Sequence, residues 1–242
     1  DTDGVADFRV QRFGARAAMI NPAIRPYDDL APYKGTQTNM YSGEAFEVTD
    51  AHFDELRALE RRLEPALVSD HLSWSSLDGR FLHDLLPLPY LEESIAHVAD
   101  RIARVQDFLG RRIAIENVSS YATFAESELA EWEFLAAVAE RADCSILLDV
   151  NNVHVSAVNH GFSADTYLAA LPRERVVQLH IAGFSRGREL LLDTHGTAID
   201  LAVWRLLELA LERFGALPLV LERDRNKLRE EKQKQAGAQT AK

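Results

Sequence analysis

Short apolar runs that close on a carboxylate or an imidazole recur six times along this 242-residue chain, and they constrain its fold more than any other feature. The central case is Ile146, Leu147 and Leu148, which break at once into Asp149, Asn151, Asn152 and His154. A run of that kind is what a strand buried on both faces shows. A buried strand that ends in a carboxylate delivers that carboxylate into a site. The same grammar holds for residues 67–71 ending at His71, 113–117 ending at Glu116 and Asn117, and 176–180 ending at His180. It holds again for 190–195, ending at Asp193 and His195, and for 219–222, ending at Glu222.

Helical periodicity fills the intervals. Thr49 and Asp50 cap a helix that puts Phe53, Leu56, Leu59 and Leu63 on one face, and Pro65 stops it. Ile95, Val98, Ile102, Val105 and Leu109 mark a second helix, ended by Gly110. A third surrounds Leu129, Trp132, Leu135 and Val138, and a shorter one over 164–171 ends at Pro172. Asp200 caps the last, with Val203, Trp204, Leu207, Leu211 and Phe214 expected inward. Residues 72–91 read as a loop, as do the residues at the mouth after Asp149.

Strands alternating with helices imply βα units and a parallel sheet. Polar residues at successive strand ends favour a closed barrel, where the strand C-termini converge on one mouth, over an open sheet, which spreads them along an edge. The expectation is an α/β chain with a (β/α)8 TIM-type barrel over 49–224. Residues 1–48, with prolines at 22, 26 and 32, form an atypical N-terminal segment containing strand-like stretches at 8–13 and 17–20. Residues 225–242 are a charged tail expected to be disordered.

His71, Glu116, Asp149, His180, Asp193, His195 and Glu222 then meet at one mouth as three imidazoles and four carboxylates. Clustered carboxylates repel unless protons or cations intervene, so divalent metal is the expected resolution. Cys144 is the only cysteine, which leaves no disulfide framework and no thiolate site. Mixed imidazole and carboxylate ligation suits iron, manganese or zinc, and seven donors exceed the needs of one ion. Asn152 is a further candidate ligand, whereas Asn151 reads equally well as a residue bonding loop backbone. Asn117, Trp74 and His154 are the candidate substrate contacts. The net charge of -11 argues against a nucleic-acid partner. No apolar run approaches a membrane span and no signal sequence opens the chain, so the expected setting is cytoplasmic.

Eight ordered motifs carry a resemblance: SDHLSW at 69–74, DLLPLPY at 84–90, ENVSSY at 116–121, EWEFLAAVA at 131–139, LLDVNNVHVSAVNHGF at 147–162, LHIAGF at 179–184, LLDTHG at 191–196 and LERD at 221–224. From about Val48 to Asp224 the chain resembles the DUF692 family, the multinuclear non-haem iron oxidases. The resemblance implies a TIM-type barrel that holds two or three irons. It also implies dioxygen-dependent modification of a residue, commonly cysteine, of a ribosomally made precursor peptide, with a partner protein that helps recognise the leader. The implied iron ligands are His71, Glu116, Asp149, His180, Asp193, His195 and Glu222, with Asn152 where some members place another.

Two family features are missing. Members open with a strand ending in an acidic-Asn-Tyr motif and a second ending in a His-Gly motif whose histidine is a ligand, yet no histidine here precedes His52. The first two barrel strands are therefore expected to be replaced, truncated or absent, and the tail lacks the family's apolar terminal helix. Two rival readings remain open: a divalent-metal hydrolase or isomerase on the same barrel, and a non-catalytic relative with an incomplete metal site.

Overall fold

Alternation along six short parallel strands decides which side chains share a face. In the computed structural model the described residues are 9–13, 15–19, 37–38, 45–46, 50–77 and 80–223. The main sheet holds seven strands. In ladder order they are β1 (Arg9–Phe13), β2 (Ala15–Met19), β5 (Leu67–His71), β8 (Ala114–Glu116), β9 (Ser145–Asp149), β10 (Val176–Ile181) and β13 (Leu219–Leu221). All neighbours from β2 to β13 run parallel, and β1 returns antiparallel to β2. The helices are α1 (Asp50–Leu63), α2 (Glu92–Leu109), α3 (Glu131–Arg141), α4 (Val150–His160), α5 (Ala164–Ala170) and α6 (Leu201–Phe214).

Register sorts the strand residues. His71 lies opposite Glu116, and His180 lies opposite both Asp149 and Val220. Because strand side chains alternate with period two, His71, Glu116, Asp149 and His180 share one face, with Ser69, Ala114, Leu147 and Gln178 beneath them. The other face packs on the helices: Val68, Ile115, Ile146, Leu148, Leu179 and Ile181 join one buried cluster with Ile95, Ile102, Phe134, Val138, Leu168, Leu207 and Phe214. The sheet curls until β1 comes near β13. The architecture is an incomplete (β/α) barrel. An antiparallel hairpin stands where two parallel βα units were expected to be replaced or missing.

Three expectations need correction. Residues after His71 are not all loop, because β6 (Trp74–Leu77) and β7 (Arg80–Leu86) form an antiparallel hairpin. The run that ends at Asp193 is β12 (Leu191–Asp193), which lies outside the main sheet and pairs antiparallel with β11 (Phe184–Arg186). Polar residues after Asp149 belong to a helix, α4, because the Asp149 side chain accepts the Asn152 N–H and caps it. Another two-stranded ladder joins β3 (Gln37–Thr38) to β4 (Ala45–Phe46).

Trp204 also departs from expectation, being 39% exposed. The buried stripe of α6 is Val203, Leu206, Leu207, Ala210 and Phe214, and Trp204 and Leu211 each sit one residue, about 100° of helix, off it. The expected tail at 225–242 lies outside the described residues, as do most of residues 1–48 and the side chains of His52 and His83. No helix among the described residues is long and apolar enough to cross a membrane.

Candidate metal centre

Three strand ends bring the deepest donors together. Glu116 closes β8, Asp149 closes β9, and His180 sits one residue before the end of β10. Their exposures are 1%, 0% and 3%. One ligand atom from each lies within 4.8 Å of the others. His180 Nδ1 is 2.9 Å from Glu116 Oε1 and 2.7 Å from Asp149 Oδ2. On its other side, His180 Nε2 is 3.3 Å from Glu222 Oε2.

The remaining candidates extend this trio in both directions. His71 Nε2 lies 3.6 Å from Glu116 Oε2. Glu222 Oε2 is 3.4 Å from His195 Nδ1, and His195 Nε2 is 2.9 Å from Asp193 Oδ1. The rings of His180 and His195 stand nearly perpendicular, with centroids 5.8 Å apart. All seven strand-end donors thus form one connected network in which imidazoles and carboxylates alternate.

A proton alone serves this network poorly. His180 Nδ1 carries at most one hydrogen yet faces two carboxylate oxygens. Glu116 Oε2, Asp149 Oδ2 and His180 Nε2 are buried without an aligned hydrogen bond among the described residues. Each unsatisfied buried polar atom costs on the order of 1–3 kcal/mol, and more when charged. Oxygen and imidazole donors converging on one point are what a divalent cation takes. The donor set therefore fits a metal.

Charge shapes the imidazoles. Burial opposes a charged His180, but the Asp149 carboxylate and the close polar contacts with Asp149, Glu116 and Glu222 outweigh it and hold the ring well above its ordinary pKa. Burial likewise opposes charge on His195, and hydrogen bonds to Asp193 and Glu222 push it up to about 10. Burial raises Asp193, with His195 pulling the other way. Burial also raises Asp70, which accepts the His71 N–H at 2.8 Å beside the centre.

Asparagines build the frame. Asn117 Oδ1 accepts the Asp149 N–H and its Nδ2 donates to the Asp149 carbonyl, both at 2.9 Å. Its amide is thus engaged with the neighbouring strand end. Asn152 donates from Nδ2 to the Asn117 carbonyl at 3.0 Å, and its Oδ1 is buried with no hydrogen-bond partner among the described residues. Asn151 Nδ2 donates to Asp193 Oδ1 at 2.9 Å.

The other candidates stand outside the donor network. Trp74 donates from its indole to the Pro87 carbonyl at 2.7 Å. His154 packs on Phe184 with ring centroids 5.1 Å apart, and burial lowers its pKa.

Three contributors escaped the sequence reading. The Tyr121 hydroxyl accepts the Asp193 N–H at 3.0 Å. Asn159 grips the main chain of β12. Gly183 lies so close to the loop after His195 that an added Cβ would sit 2.3 Å from the Thr197 carbonyl oxygen. His195 itself adopts a left-handed backbone, φ 49°. Only Gly183 left a trace in the sequence, as a small residue directly after a strand mouth.

Comparison with known proteins places this geometry. Residues 38–241 match the family model described as RiPP precursor modification enzyme MbnB/TglH/ChrH. The UPF0276 protein of Anaeromyxobacter sp. (strain Fw109-5) is 53% identical over 182 residues, covering 75% of this chain and 64% of that one. The UPF0276 protein of Caulobacter vibrioides (strain NA1000 / CB15N) is 48% identical over 211 residues, covering 87% and 74%. Against the Anaeromyxobacter and Acaryochloris marina relatives the chain spans 64% and 66% of their length. An L-ribulose 3-epimerase structure overlaps at TM-score 0.49 with 18% identity, covering 86% of this chain and 61% of that one. That overlap is too loose to bear on activity. The family match over 38–241 and the 48% identity to the Caulobacter relative have one consequence: this chain belongs to the DUF692-type family of RiPP precursor modification enzymes, MbnB/TglH/ChrH.

Proposed function

We propose that this chain is a multinuclear non-haem iron oxidase that uses dioxygen to modify a residue, cysteine by preference, of a ribosomally made precursor peptide. The observation that carries the reading is the trio of buried donors, Glu116, Asp149 and His180, whose ligand atoms lie within 4.8 Å of one another. His71, Asp193, His195 and Glu222 continue that trio without a break. These seven residues are the proposed ligands for two or three ions, with Asn152 as a further donor. Iron fits the set better than a thiophilic ion, and zinc or manganese are the competitors.

When bound, iron supplies redox chemistry and acidifies a coordinating substrate thiol. The chain's own residues do the rest. Glu116 and Asp149 offset cation charge inside a buried face, where electrostatic interactions are strong. His180 and His195 must each give up a proton before acting as ligands, since both are held above the ordinary imidazole pKa. Asn117 fixes the Asp149 main chain, so the Glu116-to-Asp149 spacing does not depend on the ion. A precursor peptide is the proposed substrate, and a separate leader-recognition protein the proposed partner.

One observation favours a second reading, an incomplete centre with fewer ions. β1 and β2 form an antiparallel hairpin rather than two parallel units, and neither brings a donor to the seven-residue network. Elemental analysis after anaerobic purification separates the two. Two or more irons per chain, with dioxygen uptake on adding a cysteine-containing peptide, is the expected result. Zero iron, or metal-dependent hydrolysis or isomerisation without dioxygen uptake, would overturn the oxidase reading.

A further inference from the structure

Asp193 and His195 reach the centre on an arm that the main sheet does not hold. The arm is the β11–β12 hairpin with its return loop, and its edge must be secured elsewhere. Leu191 and Asp193 have main-chain groups turned away from β11, and an unpaired strand edge is unstable unless something covers it. Side chains cover it here. Asn159 Oδ1 accepts the Leu191 N–H at 2.8 Å, and Asn159 Nδ2 donates to the Leu191 carbonyl at 3.1 Å. The same Nδ2 donates to the Ser120 carbonyl at 3.1 Å, tying the arm to the loop after β8.

A carboxamide offers a donor and an acceptor in one plane, as a peptide group does. It can therefore close on both main-chain groups of a single residue. Asn117 does this to Asp149 within the sheet, and Asn159 repeats it on Leu191 outside the sheet. Asn151, two helical turns before Asn159 on α4, holds the Asp193 carboxylate itself.

We propose that Asn159 is a positioning residue: it touches none of the seven donors, yet it docks the arm on α4 and so decides whether Asp193 and His195 join Glu222 and His180. The docking role rests on the hydrogen bonds of Asn159, beside the burial of Phe184 and Leu191 in the core. Its consequence for metal rests on the oxidase reading above.

Asn159→Asp keeps the shape but replaces the amide donor with an acceptor that faces two carbonyls. Hydrogen exchange on the full chain is expected to rise about 10-fold or more over residues 184–195, the scale for losing one to two hydrogen bonds, while β9 and β10 stay as in wild type. Anaerobic ferrous titration of the variant is expected to keep the first equivalent and lose a later one. Unchanged exchange in the arm overturns the proposal. So does a rise that is equal in the arm, β9 and β10, because Asn159 would then support the fold as a whole. If the aspartate variant fails to fold, Asn159→Ser removes the bracket without adding charge and carries the same expectations. If wild type binds no iron, the oxidase reading falls, and the exchange data still decide the docking.

Discussion

The two halves of the centre are anchored by different means. Glu116, Asp149 and His180 end strands of one parallel ladder, with β8, β9 and β10 bonded side by side and the helical core behind them. Asp193 and His195 ride a two-stranded hairpin held to the rest by Asn159, Tyr121, Asn151 and the close approach at Gly183. The first half shares the fate of the core, whereas the second gives that core only Phe184 and Leu191 and depends more heavily on side-chain bonds. Local opening is cheapest where buried apolar contacts are few, so the arm should respond to small changes that leave the sheet untouched.

Replacing a sheet-borne donor should have the largest effect. In His180→Ala, Glu116, Asp149 and Glu222 all lose a partner at once. Loss of an outer-shell partner typically costs 10–100-fold in metal affinity, so this variant should lose more than about 100-fold, read by competition with a chromophoric chelator. Retention of wild-type affinity would place the metal elsewhere.

Acidity probes both halves together. With the proposed ligand set, metal would compete with the protons on His180 and His195, so affinity should climb as pH rises from 6 to 9, with protons released on binding. In the metal-free protein the sign reverses. His195 is raised from 6.5 to about 10, so its contribution to stability is complete below pH 6.5 and is lost as pH rises through about 10. Urea melts of wild type beside His195→Ala should converge at high pH. A gap that widened with pH would contradict the raised imidazole.

Gly183→Ala should strike the arm harder than the sheet. Its Cβ would press on the Thr197 carbonyl, and overpacking of that kind costs about 1–3 kcal/mol. The midpoint of a urea melt should fall accordingly, with the first metal equivalent retained. The smallest change is Tyr121→Phe, which removes the acceptor for the Asp193 N–H. It should cost about 1 kcal/mol and appear as faster exchange at Asp193 alone.

The contrast also explains what could be read from the sequence. Strand ends are legible because a short continuous apolar run that closes on Glu116, Asp149 or His180 has few other uses. The run before Asp193 looks the same, but apolarity does not name a partner strand, so its departure from the sheet was hidden. Asn151, Asn152 and His154 read as loop because Asn and Asp favour turns. The Asp149 cap and the burial of Val153 and Val155 override that preference. Trp204 misled because a stripe drawn one residue off still looks amphipathic. The gripping roles of Asn117 and Asn159 depend on which main-chain atoms the fold brings to one amide, which no spacing encodes.

Stepwise anaerobic titration of the metal-free chain with ferrous iron, for wild type, His180→Ala and His195→Ala, tests the joined centre most directly. Wild type should take up at least two equivalents, His180→Ala should lose the tightest one, and His195→Ala should keep it while losing a weaker one. Binding that is absent in wild type, or altered identically by the two substitutions, would contradict a centre assembled from a sheet half and an arm half.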